Sequence, residues 1–139
     1  MRWTIVTVGD IKSNEIRTLF DTYRKRLGRC TVHTIKDSDI WEEKVGQFLA
    51  DKDHVFLLSE DGMQYDSVGL AKFCEREGRD GDELVFVIAP AEGYSEHMKQ
   101  KHKRISLSPL TFPHEIAALL LIEQLYRVET IMAGKPYHK

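Results

Sequence analysis

The sequence predicts a single α/β domain with a mainly parallel sheet, and three observations support this prediction. Runs of β-branched residues typical of strands alternate with amphipathic segments typical of helices along the 139 residues. Residues 84–88 are apolar throughout, as is expected of a central strand that helices cover on both faces. The length suits one domain, and no linker, repeat or low-complexity stretch divides residues 1–139.

The first half of the chain supplies three strands and two helices. Residues 3–8 and 30–35 predict strands, and the apolar positions between them recur at helical spacing. A second apolar stripe predicts a helix at residues 41–49, and residues 54–58 predict a third strand that ends in a turn at residues 59–62. The residues available as caps are Ser13 or Asn14 and Gly28 for the first helix, and Asp37 or Ser38 for the second.

The second half adds a short helix, two strands and a long helix. Residues 67–77 predict the short helix, and the central strand that follows runs into a loop at residues 89–93. Residues 105–107 predict a short last strand. The residues that punctuate the helices are Gly78 and Gly81 after the short one, Pro113 at the start of the long one and Gly134 at its end.

The long helix predicts an association between two copies of the chain. Residues 116–122 are apolar around the whole circumference, and such a helix must be covered on every side. A domain of this size offers a single core, so a second copy is the simplest cover, which predicts a homodimer. The alternative is a helix that is fully internal in a monomer.

Composition and charge exclude several classes of protein. No apolar run approaches the roughly 20 residues of a membrane span, and the N-terminus lacks the features of a signal peptide, so we expect a cytoplasmic protein. The net charge of −2 argues against nucleic-acid binding through bulk charge, although a local basic patch remains possible. Cys30 and Cys74 match no metal-ligand spacing and are expected to be free, mostly buried thiols. No metal site is predicted.

Three loops are expected to form a ligand site. They follow the predicted strands that end at residues 58, 88 and 107, and each carries small or polar residues directly after a buried strand. Ligands of parallel α/β sheets gather where the carboxyl ends of the strands meet. This pattern alone does not identify the ligand.

The C-terminal third carries three motifs that resemble those of one enzyme family. The stretches ISLSPLTFPH (105–114), EQLYR (123–127) and PYHK (136–139) resemble, in order and spacing, the RlmH family of SPOUT-class methyltransferases. The resemblance implies a parallel sheet with a trefoil knot near the C-terminus and a homodimer with active sites completed across the interface. It also implies transfer of a methyl group from S-adenosylmethionine to N3 of a pseudouridine in large-subunit ribosomal RNA, best within the assembled ribosome.

The resemblance also assigns the cofactor contacts. The residues that match the family's S-adenosylmethionine-binding positions are Leu58, Ala89, Gly93, Leu107, Ser108, Pro109, Leu110, Thr111 and Phe112. The chain departs from the family's Gly-Gly-x-x-Gly loop, because Ala89 and Pro90 stand where the first two glycines are usual. A methyl group and a ring that lacks an N–H donor are expected to weaken or reorient cofactor binding without removing it.

The same motifs supply candidates for the chemistry and for RNA binding. His114, Tyr137 and His138 are candidates to accept the N3 proton, with Arg127 as a positive charge beside them. The residues expected to contact RNA phosphates are Lys99, Lys101, Lys103 and Arg104 in the basic run and Lys139 at the terminus, where the family more often has arginine. A solvated charged face is the alternative for the basic run.

Three other functions stay open on the sequence alone. One is a different SPOUT reaction, such as ribose 2′-O-methylation or methylation of transfer RNA. Another is a ribosome-binding protein that has lost catalysis, which only the Ala89-Pro90 departure supports. The last is an unrelated α/β nucleotide-binding module.

Overall fold

The structure is a computed structural model that describes residues 1–139, and it contains one five-stranded sheet. All neighbouring strands are parallel, and the strand order is β2-β1-β4-β3-β5. In chain order the elements are β1 (Arg2–Val8), α1 (Asn14–Leu27), β2 (Cys30–Ile35), α2 (Trp41–Leu49), β3 (Val55–Gln64), α3 (Ser67–Glu77), β4 (Glu83–Ile88), α4 (Glu96–Lys101), β5 (Lys103–Ser106) and α5 (His114–Met132). The predicted α/β class and parallel sheet are confirmed.

Helices cover the sheet on both faces, which makes three layers. On one face α1, α3 and α5 pack around a core that includes Phe86 and Leu121, and on the other α2 and α4 pack around Val45 and Val87. The apolar strand β4 lies in the middle of the sheet, as its sequence predicts. This arrangement leaves the carboxyl edge of the sheet as the open end of the domain.

The predicted caps are correct for α1 and wrong for α2. Ser13 caps α1 by accepting a hydrogen bond from the backbone N–H of Ile16, and Gly28 ends the helix with a φ of 76°. The N-cap of α2 is Ile40, which makes no side-chain cap bond. The backbone carbonyl of Ser38, and not its side chain, accepts a hydrogen bond from Trp41. A tight turn before α2 therefore replaces the expected side-chain cap.

The turn predicted at residues 59–62 is wrong, because β3 continues through these residues. Leu58 pairs with Ile105 of β5, the next residues bulge out, and Met63 pairs with the same Ile105. After the bulge the strand therefore resumes its pairing with β5 at Ile105 and continues to Ser106. A Cβ on Gly62 would lie 2.7 Å from backbone atoms of Arg104 and Ile105. This glycine permits a close approach of two backbones, whereas its sequence context suggested a turn.

Two details near β5 differ from the predictions. The strand spans Lys103–Ser106, so Leu107 has already left the sheet where residues 105–107 were expected to pair. The six-residue helix α4 was not predicted, because its only buried side chain is Met98. Ser95 caps it by accepting a hydrogen bond from the N–H of Met98. A polar sequence with one apolar anchor shows no periodicity by which to recognise a helix.

The long helix α5 is buried on one side and partly open on the other. Pro113 is its N-cap and Gly134, at a φ of 69°, follows its end. Leu121, Leu125 and other inner residues are fully buried, whereas the side chain of Leu120 remains 38% exposed. The helix is thus not internal within one chain, and the homodimer and the trefoil knot stay predictions. No helix combines the length and apolarity needed to cross a membrane.

Candidate functional site

A cavity of about 730 Å³ lies at the carboxyl edge of the sheet, and we call it the strand-end cavity. Its walls are the bulge of β3 at residues 58–61, the segments after β4 and β5, and the first turn of α5. The structure thus brings together the three segments that the sequence singles out, although the first of them is a bulge within β3 and not a loop after it. Of the residues matched to cofactor positions, those that line the cavity are Leu58, Ala89, Gly93, Leu107, Ser108, Leu110, Thr111 and Phe112, whereas Pro109 does not.

Tyr94 joins two of these walls, although sequence reasoning missed it. Its hydroxyl lies 2.9 Å from the carbonyl oxygen of Leu58 and 2.8 Å from that of Val87. The hydroxyl can donate to either carbonyl, so it ties the ends of β3 and β4 together. Burial is the main cause that raises the pKa of Tyr94, and it stays a neutral donor. The sequence signal that could have indicated its role is the position of an aromatic side chain directly after Gly93 of the loop.

The loop after β4 accommodates Ala89 and Pro90 without backbone strain. No residue other than glycine has a positive φ, and in this loop the positive value of 74° falls on Gly93. The N–H of Gly93 donates to the carbonyl oxygen of Pro90 at 3.0 Å and closes the turn. The conformation that demands glycine thus coincides with the one glycine that the chain retains.

The segment after β5 is shaped by two serines. The hydroxyl of Ser106 donates to the carbonyl oxygen of Ser108 at 2.9 Å, and the hydroxyl of Ser108 accepts from the N–H of Leu110 at 3.1 Å. These bonds hold a compact turn that leaves the side chain of Leu110 67% exposed at the mouth of the cavity. An exposed leucine beside a cavity is available to a ligand or to another chain.

Ion pairs occupy most of the basic run, of which only Lys99 lines the strand-end cavity. Asp61 accepts from Arg104 at 2.7 Å and lies 3.8 Å from Lys99, while Lys103 pairs with Glu77. The neighbouring Ser59 hydroxyl, followed by these cations, lowers the pKa of Asp61, which therefore remains ionised. Lys101 is exposed and has no ion pair. The free positive charge of this run is thus smaller than the sequence suggests.

His114 is the candidate proton acceptor that lies in the strand-end cavity. It is the first residue of α5, and its Nε2 lies 3.3 Å from the carbonyl oxygen of Asp10 in the loop after β1. The next residue, Glu115, accepts a hydrogen bond at 3.0 Å from the backbone N–H of Ser13. These two bonds fix the start of α5 against the loop after β1.

The remaining catalytic candidates form a separate group, the tail cluster, in which Tyr137 and His138 of the C-terminal tail contact Arg127 and Glu123 of α5. Arg127 donates to the Glu123 carboxylate at 2.6 Å and to Nδ1 of His138 at 3.1 Å, and its guanidinium lies 4.9 Å from the centre of the Tyr137 ring. The Tyr137 hydroxyl donates to Glu123 at 3.2 Å. Partial burial, with Tyr23 and Glu123 nearby, raises the pKa of Tyr137 to about 12, so it is a donor at neutral pH.

This tail cluster lies far from the cavity of its own chain. Arg127 follows His114 by 13 helical residues, which corresponds to about 20 Å at 1.5 Å per residue. Arg127, Tyr137, His138 and Lys139 do not line the strand-end cavity. A single chain therefore does not bring all of the predicted catalytic residues into one site.

Neither cysteine belongs to the site. Cys30 and Cys74 are free, as predicted, and Cys74 is fully buried while Cys30 is partly exposed. Burial raises the pKa of the Cys30 thiol to about 11 and that of Cys74 to about 12, so both are protonated and unreactive at neutral pH. No group of three His, Cys, Asp or Glu side chains lies close enough together to hold a metal ion.

Comparisons with known proteins give a consistent result. Residues 1–138 match the sequence model of a family described as "Predicted SPOUT methyltransferase". A protein of Parasynechococcus marenigrum (strain WH8102) named "Ribosomal RNA large subunit methyltransferase H" is 39% identical over 142 residues, which cover 99% of this chain and 96% of that protein. A protein of Synechococcus sp. (strain RCC307) with the same name is 41% identical over 141 residues, which cover 99% and 95%.

Solved structures with little sequence identity share the fold. TrmJ from Z. mobilis ZM4 superposes with a TM-score of 0.56 at 11% identity, over 93% of this chain and 70% of that one. A probable methyltransferase from Bordetella pertussis Tohama I superposes with a TM-score of 0.56 at 12% identity, over 91% and 92%. At such low identity these structures speak for the architecture alone.

Proposed function

The chain belongs to the SPOUT methyltransferases, in the family of ribosomal RNA large subunit methyltransferase H, and from this premise we propose that it methylates N3 of a pseudouridine in large-subunit ribosomal RNA. The methyl donor is S-adenosylmethionine, which supplies an electrophilic methyl group on a sulfonium. The acting form is a homodimer, the substrate is the assembled ribosome, and the compartment is the cytoplasm.

The observation that carries the proposal is the strand-end cavity. Its volume of about 730 Å³ lies in the range of small-ligand sites. Leu58, Leu107 and Phe112 supply apolar walls for an adenine, and the chain ends of three parallel strands supply peptide N–H and C=O groups for its polar edge. The residues present therefore fit S-adenosylmethionine. The Ala89-Pro90 loop has its positive φ at Gly93 alone, which supports retained cofactor binding.

Two features of the single chain support the homodimer. The outer side of α5 keeps Leu120 partly exposed, and the tail cluster lies about 20 Å from its own cavity by helical rise. A second copy packed on α5 would cover this apolar surface and could bring its tail to the cavity. Arg127, Tyr137, His138 and Lys139 would then act on the neighbouring chain's substrate.

Methyl transfer to ribosomes tests the proposal. Purified protein is mixed with tritiated-methyl S-adenosylmethionine and with 70S ribosomes, 50S subunits or free 23S RNA from cells that lack the modification. We expect label in the large-subunit RNA, fastest from 70S ribosomes, at N3 of one pseudouridine. Label on a ribose 2′-oxygen or on transfer RNA would establish the other SPOUT reactions instead. No label, together with no heat of binding at millimolar S-adenosylmethionine, would contradict the proposal.

Gly93→Ala is expected to weaken cofactor binding by roughly 5- to 30-fold. An L-residue at this positive φ costs roughly 1–2 kcal/mol, which the loop can relieve only by changing shape. Isothermal titration with S-adenosylmethionine measures the change. Gly28→Ala is the matched control, because Gly28 has a similar φ of 76° and open space around it but ends α1. Equal affinities of the two variants would show that this loop does not contact the cofactor.

Lys101→Ala is expected to reduce ribosome binding more than Lys103→Ala does. Lys101 is the basic-run residue without an ion pair, whereas Lys103 is held by Glu77. Each phosphate contact that is lost lowers the slope of log affinity against log salt concentration by about one. Binding measured at several salt concentrations separates the variants. Identical slopes for wild type and Lys101→Ala would identify the run as a solvated face.

A further inference from the structure

The hydrogen bonds of two histidines determine where each ring carries its proton. A backbone carbonyl can only accept a hydrogen bond, and a guanidinium can only donate one. A ring nitrogen bonded to a carbonyl must therefore carry a hydrogen, and one bonded to arginine must carry a lone pair. By this rule, the nitrogen without a protein partner carries a lone pair in His114 and a hydrogen in His138.

His114 presents a free lone pair. Its Nε2 contacts the carbonyl oxygen of Asp10 at 3.3 Å, so the proton of the neutral ring resides on Nε2. Nδ1 then carries the lone pair, and no protein group bonds to it. Because His114 lines the strand-end cavity, this basic nitrogen belongs to the site where the methyl group would be transferred.

His138 presents a free N–H instead. Its Nδ1 accepts from Arg127 at 3.1 Å, so the proton of the neutral ring resides on Nε2. Arg127 is itself held by two bonds to Glu123, at 2.6 and 3.1 Å. Since Nδ1 is occupied and Nε2 already carries hydrogen, His138 can donate but cannot take up a proton without losing Arg127.

We propose that Nδ1 of His114 is the proton acceptor of the methyl transfer and that His138 is a hydrogen-bond donor through Nε2. This assignment rests on the proposed function. The N3–H proton moves to Nδ1 of His114, and the N3 electron pair forms a bond to the methyl carbon. The carbon–sulfur bond breaks and its electron pair stays on sulfur. The products are methylated RNA, S-adenosylhomocysteine and the imidazolium of His114.

Charged groups on several elements surround His114. Glu115 on α5 is ionised, because the Ser13 N–H and also His114 lower its pKa. A Cβ placed on Gly9 would lie 3.7 Å from Nε2 of His114 and 3.9 Å from Cβ of Asp37, so Gly9 lies between these two side chains and Asp37 belongs to the surroundings of the ring. The other charged groups nearby are Asp10 and Lys12 in the loop after β1, with Glu60, Asp61, Glu92 and Lys99 around the cavity.

The same substitution at the two histidines should give opposite results. The side-chain amide of glutamine places an N–H donor where Nε2 stands but offers no base at the position of Nδ1. His114→Gln keeps the bond to Asp10 and should lower kcat/KM by roughly 10²–10⁴-fold. Its remaining rate should rise about tenfold per pH unit, because N3–H must then ionise unaided. His138→Gln keeps the donor and should retain the wild-type pH profile with a rate within about tenfold.

Both variants are compared with wild type for S-adenosylmethionine binding and for their circular dichroism. Nitrogen-15 correlation spectra of the wild-type imidazoles provide a readout independent of activity, and both rings should show hydrogen on Nε2. Hydrogen on Nδ1 of His114, or a wild-type pH profile in His114→Gln, would overturn the assignment while leaving the proposed function intact. A wild type that methylates no ribosomal RNA would overturn both.

Discussion

Deletion of Tyr137, His138 and Lys139 should lower methyl transfer by roughly 10²–10⁴-fold, the range associated with the loss of positioned donors and charges. The truncated chain loses the donors of the tail cluster and the terminal positive charge. The deleted residues neither line the strand-end cavity nor belong to a helix or strand, so S-adenosylmethionine affinity and the unfolding temperature should change little. The measurements are tritium transfer to ribosomes, isothermal titration and thermal melting.

Lys135→Ala is the matched control for this deletion. Lys135 lies in the same tail and is exposed, and only its backbone N–H is bonded, to the carbonyl oxygen of Thr130. This variant should retain wild-type transfer. If the truncated chain methylated ribosomes at the wild-type rate, the proposed role of the tail would be wrong.

Gly62→Ala should destabilise the domain by about 2–3 kcal/mol, the cost of forcing a side chain into a filled space. A Cβ at this position would lie 2.7 Å from three backbone atoms of Arg104 and Ile105, and backbone in a paired strand cannot move aside. For a chain of this length the loss corresponds to a fall of roughly 5–10 °C in Tm. The same bulge borders the strand-end cavity, so cofactor affinity should fall as well.

Gly46→Ala provides the matched control for stability. Gly46 lies within α2, and a Cβ there meets nothing within 4 Å. Replacing glycine by alanine inside a helix should raise stability by about 0.5–1 kcal/mol. Thermal and urea unfolding measure both variants. A Gly62→Ala protein as stable as wild type would contradict the close contact between β3 and β5.

Local signals in the sequence predict most of the architecture. The apolar stretch of β4 places it in the middle of the sheet, and Ser13, Gly28 and Gly134 mark helix ends through their own conformational preferences. These features depend on neighbours in the chain, so they can be read directly from the residues. The convergence of three loops follows from the parallel topology alone.

Contacts between distant segments could not be predicted in the same way. The sequence around Gly62 predicts a turn, whereas the structure places the backbone of Ile105, 43 positions later, directly against this glycine. The ion pairs of Asp61 with Lys99 and Arg104 reduce a charge that the basic run seemed to offer freely. The Tyr94 bridge depends on two carbonyl groups from different strands. Each of these contacts joins segments that lie far apart in the sequence, and hydrophobic periodicity does not reveal such contacts.

The motifs supplied candidate catalytic residues, but the motifs alone did not show how these residues are grouped in space. His114 belongs to the first motif and His138 to the third, and His114 lines the cavity whereas His138 bonds Arg127 at a distance along α5. On the sequence alone, only the resemblance to the family implied an active site completed across a dimer interface. The separation along the helix supports the proposed composite site.

The proposed composite site can be tested by mixing two inactive variants. One lacks residues 137–139, and the other carries Ala89→Trp, which fills the cavity but keeps the tail. Each alone should be inactive, with the cavity variant checked for its fold by circular dichroism and for loss of cofactor binding. The two proteins are unfolded together, refolded and assayed for methyl transfer to 70S ribosomes.

If a tail serves the neighbouring chain, mixed dimers contain one intact cavity beside one intact tail. Random pairing makes half of the dimers mixed, each with one of two sites, so about a quarter of the wild-type rate should return. If each tail serves its own chain, a mixed dimer has no active site, because one chain has a blocked cavity and the other lacks its tail. A mixture that stays inactive while forming dimers would contradict the composite site.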